Sequence, residues 1–194
     1  MKKQYIRYIL EVVFFAALVA IDLGTKALVF DLLKDQPSVE VLQKIFSFTL
    51  AKNTGASFSM LAGETAFLIV MPIIAIVGIA ALLIIRPNTP RNLRIGSILI
   101  AAGALGNLVD RITYNYVRDF IDYVFLDTFF GIDFAIGNVA DLFLLMGVVM
   151  LIVYIIFEYD DSDFYSKKKL QRIAEEQAKL VEAETVEEAT QDGE

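Results

Sequence analysis

The chain contains no cysteine and no histidine. Without cysteine it has no disulfide, no thiol nucleophile and no thiolate metal site, and it cannot itself carry a lipid on a cysteine. Without histidine it lacks the usual general base and the commonest metal ligand. Any catalysis must therefore rely on carboxylates, lysine, tyrosine, serine or threonine.

Long apolar runs are abundant instead. The chain of 194 residues is 57% hydrophobic, with a mean hydropathy of +0.60. Several runs approach the roughly 20 residues that a helix needs to cross a bilayer. The pattern predicts a mainly α membrane protein, a four-helix bundle with spans at about 8–30, 64–85, 95–110 and 138–157.

The formal net charge of −7 comes largely from the end of the chain. Residues 1–158 form the predicted membrane domain, and residues 159–194 form a charged tail in which we expect no chemistry. The positive-inside rule places both termini and this tail in the cytoplasm, and the segments 31–63 and 111–137 outside. The basic residues on the predicted cytoplasmic side are Lys2, Lys3, Arg7, Arg86, Arg91, Arg94, Lys167, Lys168 and Lys169.

The first outer segment has the composition of short strands. Residues 39–50 alternate partly between apolar and polar side chains and are rich in β-branched and aromatic residues. Such a pattern favours strands lying at the membrane surface. The following Asn53-Thr54-Gly55-Ala56-Ser57-Phe58 supplies turn-forming residues.

Ionisable and amide side chains are concentrated between Gly103 and Asp141, next to apolar spans. An ionisable group in lipid costs several kcal/mol unless it is paired or hydrated, so a functional site is the default hypothesis. Residues three or four apart share a helix face. Asn107 therefore lies with Asp110 and Arg111, and Asn138 lies with Asp141.

Asp22 and Lys26 form a similar set in the first span and are close enough to pair. They are interpreted as a structural or substrate-orienting pair. Asp110 and Arg111 could equally be mutual partners that cap a helix end, and the spacing leaves that alternative open.

Asp119 and Asp141 have no obvious local countercharge apart from Arg118. Two carboxylates that meet in a poorly hydrated site tend to share one proton. The ionised member could take a proton from water while the protonated member donates to a carbonyl oxygen, which would split an amide. The sequence alone does not establish that these two residues meet.

Five separate motifs resemble those of the lipoprotein signal peptidases, the signal peptidase II family, over most of residues 15–150. The motifs occur in family order: Asp22-Leu23-Gly24-Thr25-Lys26, Asn53 through Phe58, Gly103 through Arg111, Val117-Arg118-Asp119-Phe120, and Asn138-Val139-Ala140-Asp141.

The resemblance implies that Asp119 and Asp141 are a catalytic dyad and that Asp110 supports the site. It also implies that the 31–63 segment forms a small β-structured cradle on the outer membrane surface. The remaining substrate-binding or supporting positions that it implies are Asp22, Lys26, Asn53, Gly55, Asn107, Arg111 and Asn138.

The implied function is that of an inner-membrane aspartic endopeptidase, which removes signal peptides from prolipoproteins by cutting before a diacylglyceryl-modified cysteine. Its expected partners are such prolipoproteins and membrane lipids. No metal, organic cofactor or nucleic acid is expected. The alternative functions are a small transporter that relays protons through the same acids and a non-catalytic membrane scaffold.

Two departures from the family pattern lie beside the proposed site. Arg118 stands where the family usually has valine, and its cation would favour ionised Asp119 if the side chain turned inward. Before Asn138, the sequence Phe134-Ala135-Ile136-Gly137 lacks the common proline and a second aromatic residue. The second departure puts the shape of the entry to the last helix in question.

Overall fold

The structure is a computed structural model that describes residues 2–36, 38–55, 65–132, 134–158 and 177. The predicted turn residues Ala56, Ser57 and Phe58 and almost all of the predicted tail lie outside this range. The chain divides into two compact units, Met1–Leu151 and Ile152–Glu194. All of the candidate site residues belong to the first unit.

Five α-helices and three strands are present in the described part of the chain. Helix α1 spans Lys2–Leu32, followed by strands β1, Ser38–Leu42, and β2, Phe46–Asn53. Helices α2, Thr65–Ile85, and α3, Arg91–Tyr114, come next, and then strand β3, Val117–Asp122. Helix α4 covers Val124–Phe130, and helix α5, Val139–Val153, continues into a π-helical turn, Tyr154–Glu158.

Four helices are long and apolar enough to cross a membrane: Gln4–Leu32, Ala66–Ile85, Arg91–Tyr114 and Val139–Phe157. The predicted mainly helical membrane protein with four spans and a small β-structure is thus confirmed. The third helix is longer than its predicted range of 95–110, because it begins directly after Pro90 and ends only where Asn115 adopts a left-handed conformation with φ 64°.

Helix α3 lies at the centre of the bundle and packs against α1 and α2. Its side chains Ile98, Leu99 and Ala102 share a core with residues of α1, α2 and α5. Small residues bring α5 close to α3, because a side chain at Gly103 would overlap the carbonyl of Ala140. Close approach through small residues is typical of membrane helices. The other core members are Leu18, Leu83 and Phe143.

The three strands form one antiparallel sheet in the order β1-β2-β3. The strands predicted in the 31–63 segment are β1 and β2, which pair Ser38 with Thr49. The third strand was not predicted, since the sequence from Val117 to Asp122 is short and its apolar and charged residues do not alternate. In the sheet it pairs with β2, with Ala51 opposite Asp119.

A β-bridge connects β3 to the entry of α5. The backbone N–H groups of Phe120 and Ile121 both donate to the carbonyl of Gly137, and Gly137 donates back to Ile121. This bridge fixes the backbone just before Asn138. Main-chain hydrogen bonds therefore define the entry to the last helix in this chain.

Candidate active site

Asn138 contacts both Asp119 and Asp141. Its side-chain amide donates to Oδ1 of Asp119 at 2.6 Å, and its backbone N–H donates to Oδ2 of Asp141 at 3.0 Å. Asn138 is fully buried. The two carboxylates that the sequence analysis singled out are therefore brought to one point, on either side of one asparagine.

Strand β3 presents Asp119 to this point. The second oxygen of its carboxylate, Oδ2, accepts a hydrogen bond from the amide of Asn53 at 2.9 Å. Asn53 is itself oriented by Gly55, whose backbone N–H donates to Oδ1 of Asn53 at 3.0 Å. Both oxygens of Asp119 thus accept from amide groups whose direction is set by their own neighbours.

Burial raises the pKa of Asp119 from 3.8 to about 6. The hydrogen bonds from Asn138 and Asn53 lower this pKa, and the nearby negative charge of Asp141 raises it. Loss of hydration outweighs the two hydrogen bonds, since only 2% of the residue is exposed. Asp119 therefore takes up a proton far more readily than an ordinary aspartate does.

Asp141 lies in the first turn of α5 and is only partly buried. It forms a reciprocal cap with Asn138: Oδ2 of Asp141 accepts from the Asn138 backbone, and the Asp141 backbone donates to Oδ1 of Asn138 at 3.1 Å. Such a capping box satisfies the free N–H groups of a helix start, where the helix dipole favours a negative charge. The other oxygen, Oδ1, accepts from the amide of Asn107 at 2.8 Å.

Lys26 and Asp22 lie behind this pair and are fully buried. Lys26 Nζ donates to Oδ2 of Asp22 and to Oδ1 of Asn107, both at 2.8 Å. The remaining oxygen of Asp22, Oδ1, accepts from the backbone of Ala140 at 2.9 Å. The predicted pairing of Asp22 with Lys26 is confirmed, and the pair holds both Asn107 and the start of α5.

Asp110 pairs with Arg118, so the alternative that it pairs with Arg111 is wrong. Arg118 donates to the Asp110 carboxylate through its backbone and its guanidinium, with a shortest distance of 2.8 Å. The Arg118 side chain therefore turns towards Asp110 and away from the carboxylate of Asp119. The reason is geometric: α3 ends in a tight turn at Asn115, which brings β3 back alongside Asp110.

Arg111 instead contacts the backbone at the end of β2. Its guanidinium donates to the carbonyl of Gly55 at 3.1 Å and interacts electrostatically with Asp119 and Asp141 without bonding to them. Within the described parts of the chain its buried Nε has no hydrogen-bond partner.

Three contributors to the site were not predicted from the sequence. The backbone of Ala140 and the close contact of Gly106 with Asp22 carry no signal in a single sequence, because both depend on how α1, α3 and α5 meet. Tyr123 was also missed. Burial raises the pKa of its phenol, and the charge of Asp141 raises it further, so its side chain lies near the site.

The sequence of this chain is similar to those of known proteins. The family model for signal peptidase (SPase) II matches residues 14–157. The lipoprotein signal peptidase of Clostridium tetani is 34% identical over 159 residues, which cover 81% of this chain and 100% of the relative. That of Staphylococcus haemolyticus is 33% identical, covering 79% of this chain and 94% of the relative.

A solved structure of a bacterial membrane enzyme has a similar fold. It superposes with a TM-score of 0.70 at 30% sequence identity, covering 81% of this chain and 92% of the other. The similarity thus extends over most of the length of both chains.

Proposed function

Because this chain belongs to the signal peptidase II family, which indicates a protease, we propose that it is an aspartic endopeptidase. Its substrates in this proposal are prolipoproteins, as the names of its relatives suggest. The enzyme cuts the signal peptide immediately before a cysteine that carries diacylglycerol. The observation that carries the aspartic mechanism is that Asn138 holds the carboxylates of Asp119 and Asp141 together.

The two carboxylates take different roles because their surroundings differ. Asp119 is buried and has its pKa raised to about 6, which suits it to hold the shared proton. Asp141 is partly exposed, so it can contact the attacking water and act as the base. Each side chain is held by two hydrogen bonds, so little reorganisation is needed during the reaction.

The reaction then proceeds in two proton transfers. Asp141 removes a proton from water as the oxygen attacks the scissile carbonyl carbon, and Asp119 gives its proton to the carbonyl oxygen. In the second step Asp141 returns a proton to the amide nitrogen, Asp119 recovers one from a hydroxyl of the intermediate, and the carbon–nitrogen bond breaks. Both carboxyl groups end as they began.

Arg111, Asn53 and Gly55 are linked by hydrogen bonds beside Asp119. In this proposal the guanidinium of Arg111, whose charge interacts with both carboxylates, binds a carbonyl of the signal peptide. In this proposal Asn107, Asp22, Lys26 and Asp110 support the dyad from behind. They do so through Lys26, which bonds Asn107, and through Asp22, which holds the start of α5.

The sheet that carries Asn53 and Asp119, and the helix that follows it, expose apolar side chains that suit a lipid surface. Helix α4 has no buried residue and exposes Phe129 and Phe130, and β1 exposes Val41 and Leu42. A lipid-bearing cysteine could keep its acyl chains in the bilayer while its peptide bond reaches the carboxylates.

We place this face outside a bacterial inner membrane and both termini inside, as the basic residues of the sequence suggest. Residues 1–158 form the peptidase domain in this proposal, and residues 159–194 form its cytoplasmic tail.

The direct test is cleavage of two versions of one prolipoprotein by the purified protein. One version carries diacylglycerol on its cysteine and the other does not, and mass spectrometry locates the cut. The proposal expects cleavage just before the modified cysteine and far slower cleavage of the unmodified version. If both versions stay intact, the scaffold or transporter alternative replaces the peptidase; if both are cut equally, the lipid is not part of the recognition.

A further inference from the structure

The hydrogen bonds of Arg118 described here all go to the carboxylate of Asp110. Its backbone N–H donates to Oδ2 of Asp110 at 2.9 Å, its Nε lies 3.2 Å from both oxygens, and its terminal nitrogen donates to Oδ1 at 2.8 Å. The guanidinium also lies over the ring of Tyr114, 4.7 Å from its centroid. Asp110 is fully buried, so its charge has lost its hydration. The contacts with Arg118 provide most of the interaction that offsets this loss.

Lys26 lies close to the same carboxylate but does not hydrogen-bond to it. Its Nζ is 3.7 Å from Oδ2 of Asp110, against 2.8 Å to Asp22 and 2.8 Å to Asn107. A separation of 3.7 Å is beyond hydrogen-bond range. Both oxygens of Asp110 already accept hydrogen bonds from Arg118. Lys26 donates its hydrogen bonds to Asp22 and Asn107 instead.

The bond from Lys26 decides which way the Asn107 amide faces. Its oxygen accepts from Lys26, so its nitrogen points to the other side and donates to Oδ1 of Asp141 at 2.8 Å. If Lys26 moved to Asp110, the Asn107 amide would lose the contact that fixes its direction. The proposed base would then lose a well-aligned donor.

The four buried charges also balance. Asp22 and Asp110 are countered by Lys26 and Arg118, and none of the four is more than 9% exposed. Without the guanidinium the cluster would hold two carboxylates and one ammonium, and Lys26 would be drawn towards the acid that had lost its partner.

We propose that Arg118 is a positioning residue: by holding Asp110 it leaves Lys26 free to orient Asn107 towards Asp141. This role rests on the proposed function, since it assigns Arg118 to the same site. It acts through Asp110, Lys26 and Asn107, and the Arg118 side chain itself touches neither carboxylate of the proposed dyad.

The test combines Arg118→Met with Asp110→Asn. Methionine fills a similar volume and removes the cation. We expect Arg118→Met to lower kcat by about tenfold to a hundredfold, because a misdirected catalytic group costs rate more than affinity. KM should change less than about threefold. Adding Asp110→Asn removes the unpaired carboxylate that attracts Lys26, so the double variant should cleave faster and melt at a higher temperature than Arg118→Met alone.

Lys52→Met is the matched control. Lys52 lies opposite Arg118 on the neighbouring strand and also contacts a tyrosine ring, but it is exposed and outside the buried cluster. Its replacement should leave kcat unchanged.

The proposal is overturned if Arg118→Met keeps the wild-type kcat, or if Asp110→Asn gives the Arg118→Met protein neither faster cleavage nor a higher Tm. Should the wild type fail to cleave, the proposed function falls by itself. In that case the Tm comparison still decides whether Arg118 and Asp110 are coupled as described.

Discussion

Replacing Asp119 with asparagine should change how the stability of the protein depends on pH. In the folded protein the pKa of Asp119 is about 6, against 3.8 for an ordinary aspartate. Between these values the folded state binds more protons than the unfolded state does. Stability therefore falls as pH rises through this window. An aspartate that forms a salt bridge in the folded state has the opposite effect: its contribution to stability increases as pH rises.

The size of the effect follows from the pKa difference. Each pKa unit corresponds to about 1.4 kcal/mol, so Asp119 destabilises the fold by about 3 kcal/mol at pH values well above 6 relative to strongly acidic solution. Between about pH 4.5 and about pH 8 the contribution amounts to about 2 kcal/mol. Only 2% of Asp119 is exposed, so solvent screens little of this charge.

The assay is the free energy of unfolding of wild type and Asp119→Asn in the same detergent across this pH range. Every other titrating group is present in both proteins, so the difference between the curves isolates Asp119 and its coupling to Asp141. The wild type should lose about 2 kcal/mol relative to the variant as pH rises. Removing the hydrogen bond from Asn53 by Asn53→Ala should raise the pKa of Asp119 and widen this difference. Parallel curves, or a wild type that gains stability relative to the variant, would refute a buried carboxyl group with a raised pKa.

Three further outcomes are expected. The kcat/KM for cleavage should fall as pH rises above about 6, since the proposed mechanism needs protonated Asp119; a rate that rises steadily through this range contradicts that role. Asn138→Ala should lower turnover by about a hundredfold or more, because it removes a donor to Asp119 and half of the cap at the start of α5, and near-normal turnover would contradict the bridging role. Gly106→Ala should destabilise the protein by about 1–3 kcal/mol through overlap with the carboxylate of Asp22. Gly24→Ala, on the open side of α1, is its control and should not lower Tm.

Apolar length and turn composition were enough to predict most of the fold. The four spans follow from runs of apolar residues, which lipid requires whatever the neighbouring helices are. The strands β1 and β2 follow from partial alternation. Strand β3 could not be predicted in this way, because its residues Val117 to Ile121 are all buried and so show no alternation. Its place depends on pairing with β2 and on the bridge to Gly137.

Within the site, contacts between residues three or four positions apart could be predicted from the sequence. Contacts between residues that are distant in the chain could not. The pair Asp22 and Lys26 follows from helical spacing, and so does the nearness of Asn138 and Asp141. The partner of Asp110 was not decided by sequence proximity: Arg111 is adjacent in the chain, yet Arg118 forms the pair. The difference arises because Asn115 ends α3 and returns the chain alongside it.

The role of Asn107 required the assembled bundle. Helical spacing places it beside Asp110 and Arg111, but its two bonds go to Lys26 of α1 and Asp141 of α5. No periodicity within α3 can indicate contacts that depend on three helices meeting.

The most direct test of the two-aspartate mechanism is single-turnover cleavage of diacylglyceryl-modified prolipoprotein by four proteins. These are wild type, Asp119→Asn, Asp141→Asn and the double variant, each checked for folding by thermal unfolding. Groups that act as one unit are strongly non-additive. Each single variant should therefore lose several orders of magnitude in rate, and the double variant should lose scarcely more. If either single variant cleaves at close to the wild-type rate, or if the two losses simply add, Asp119 and Asp141 do not work together on one proton.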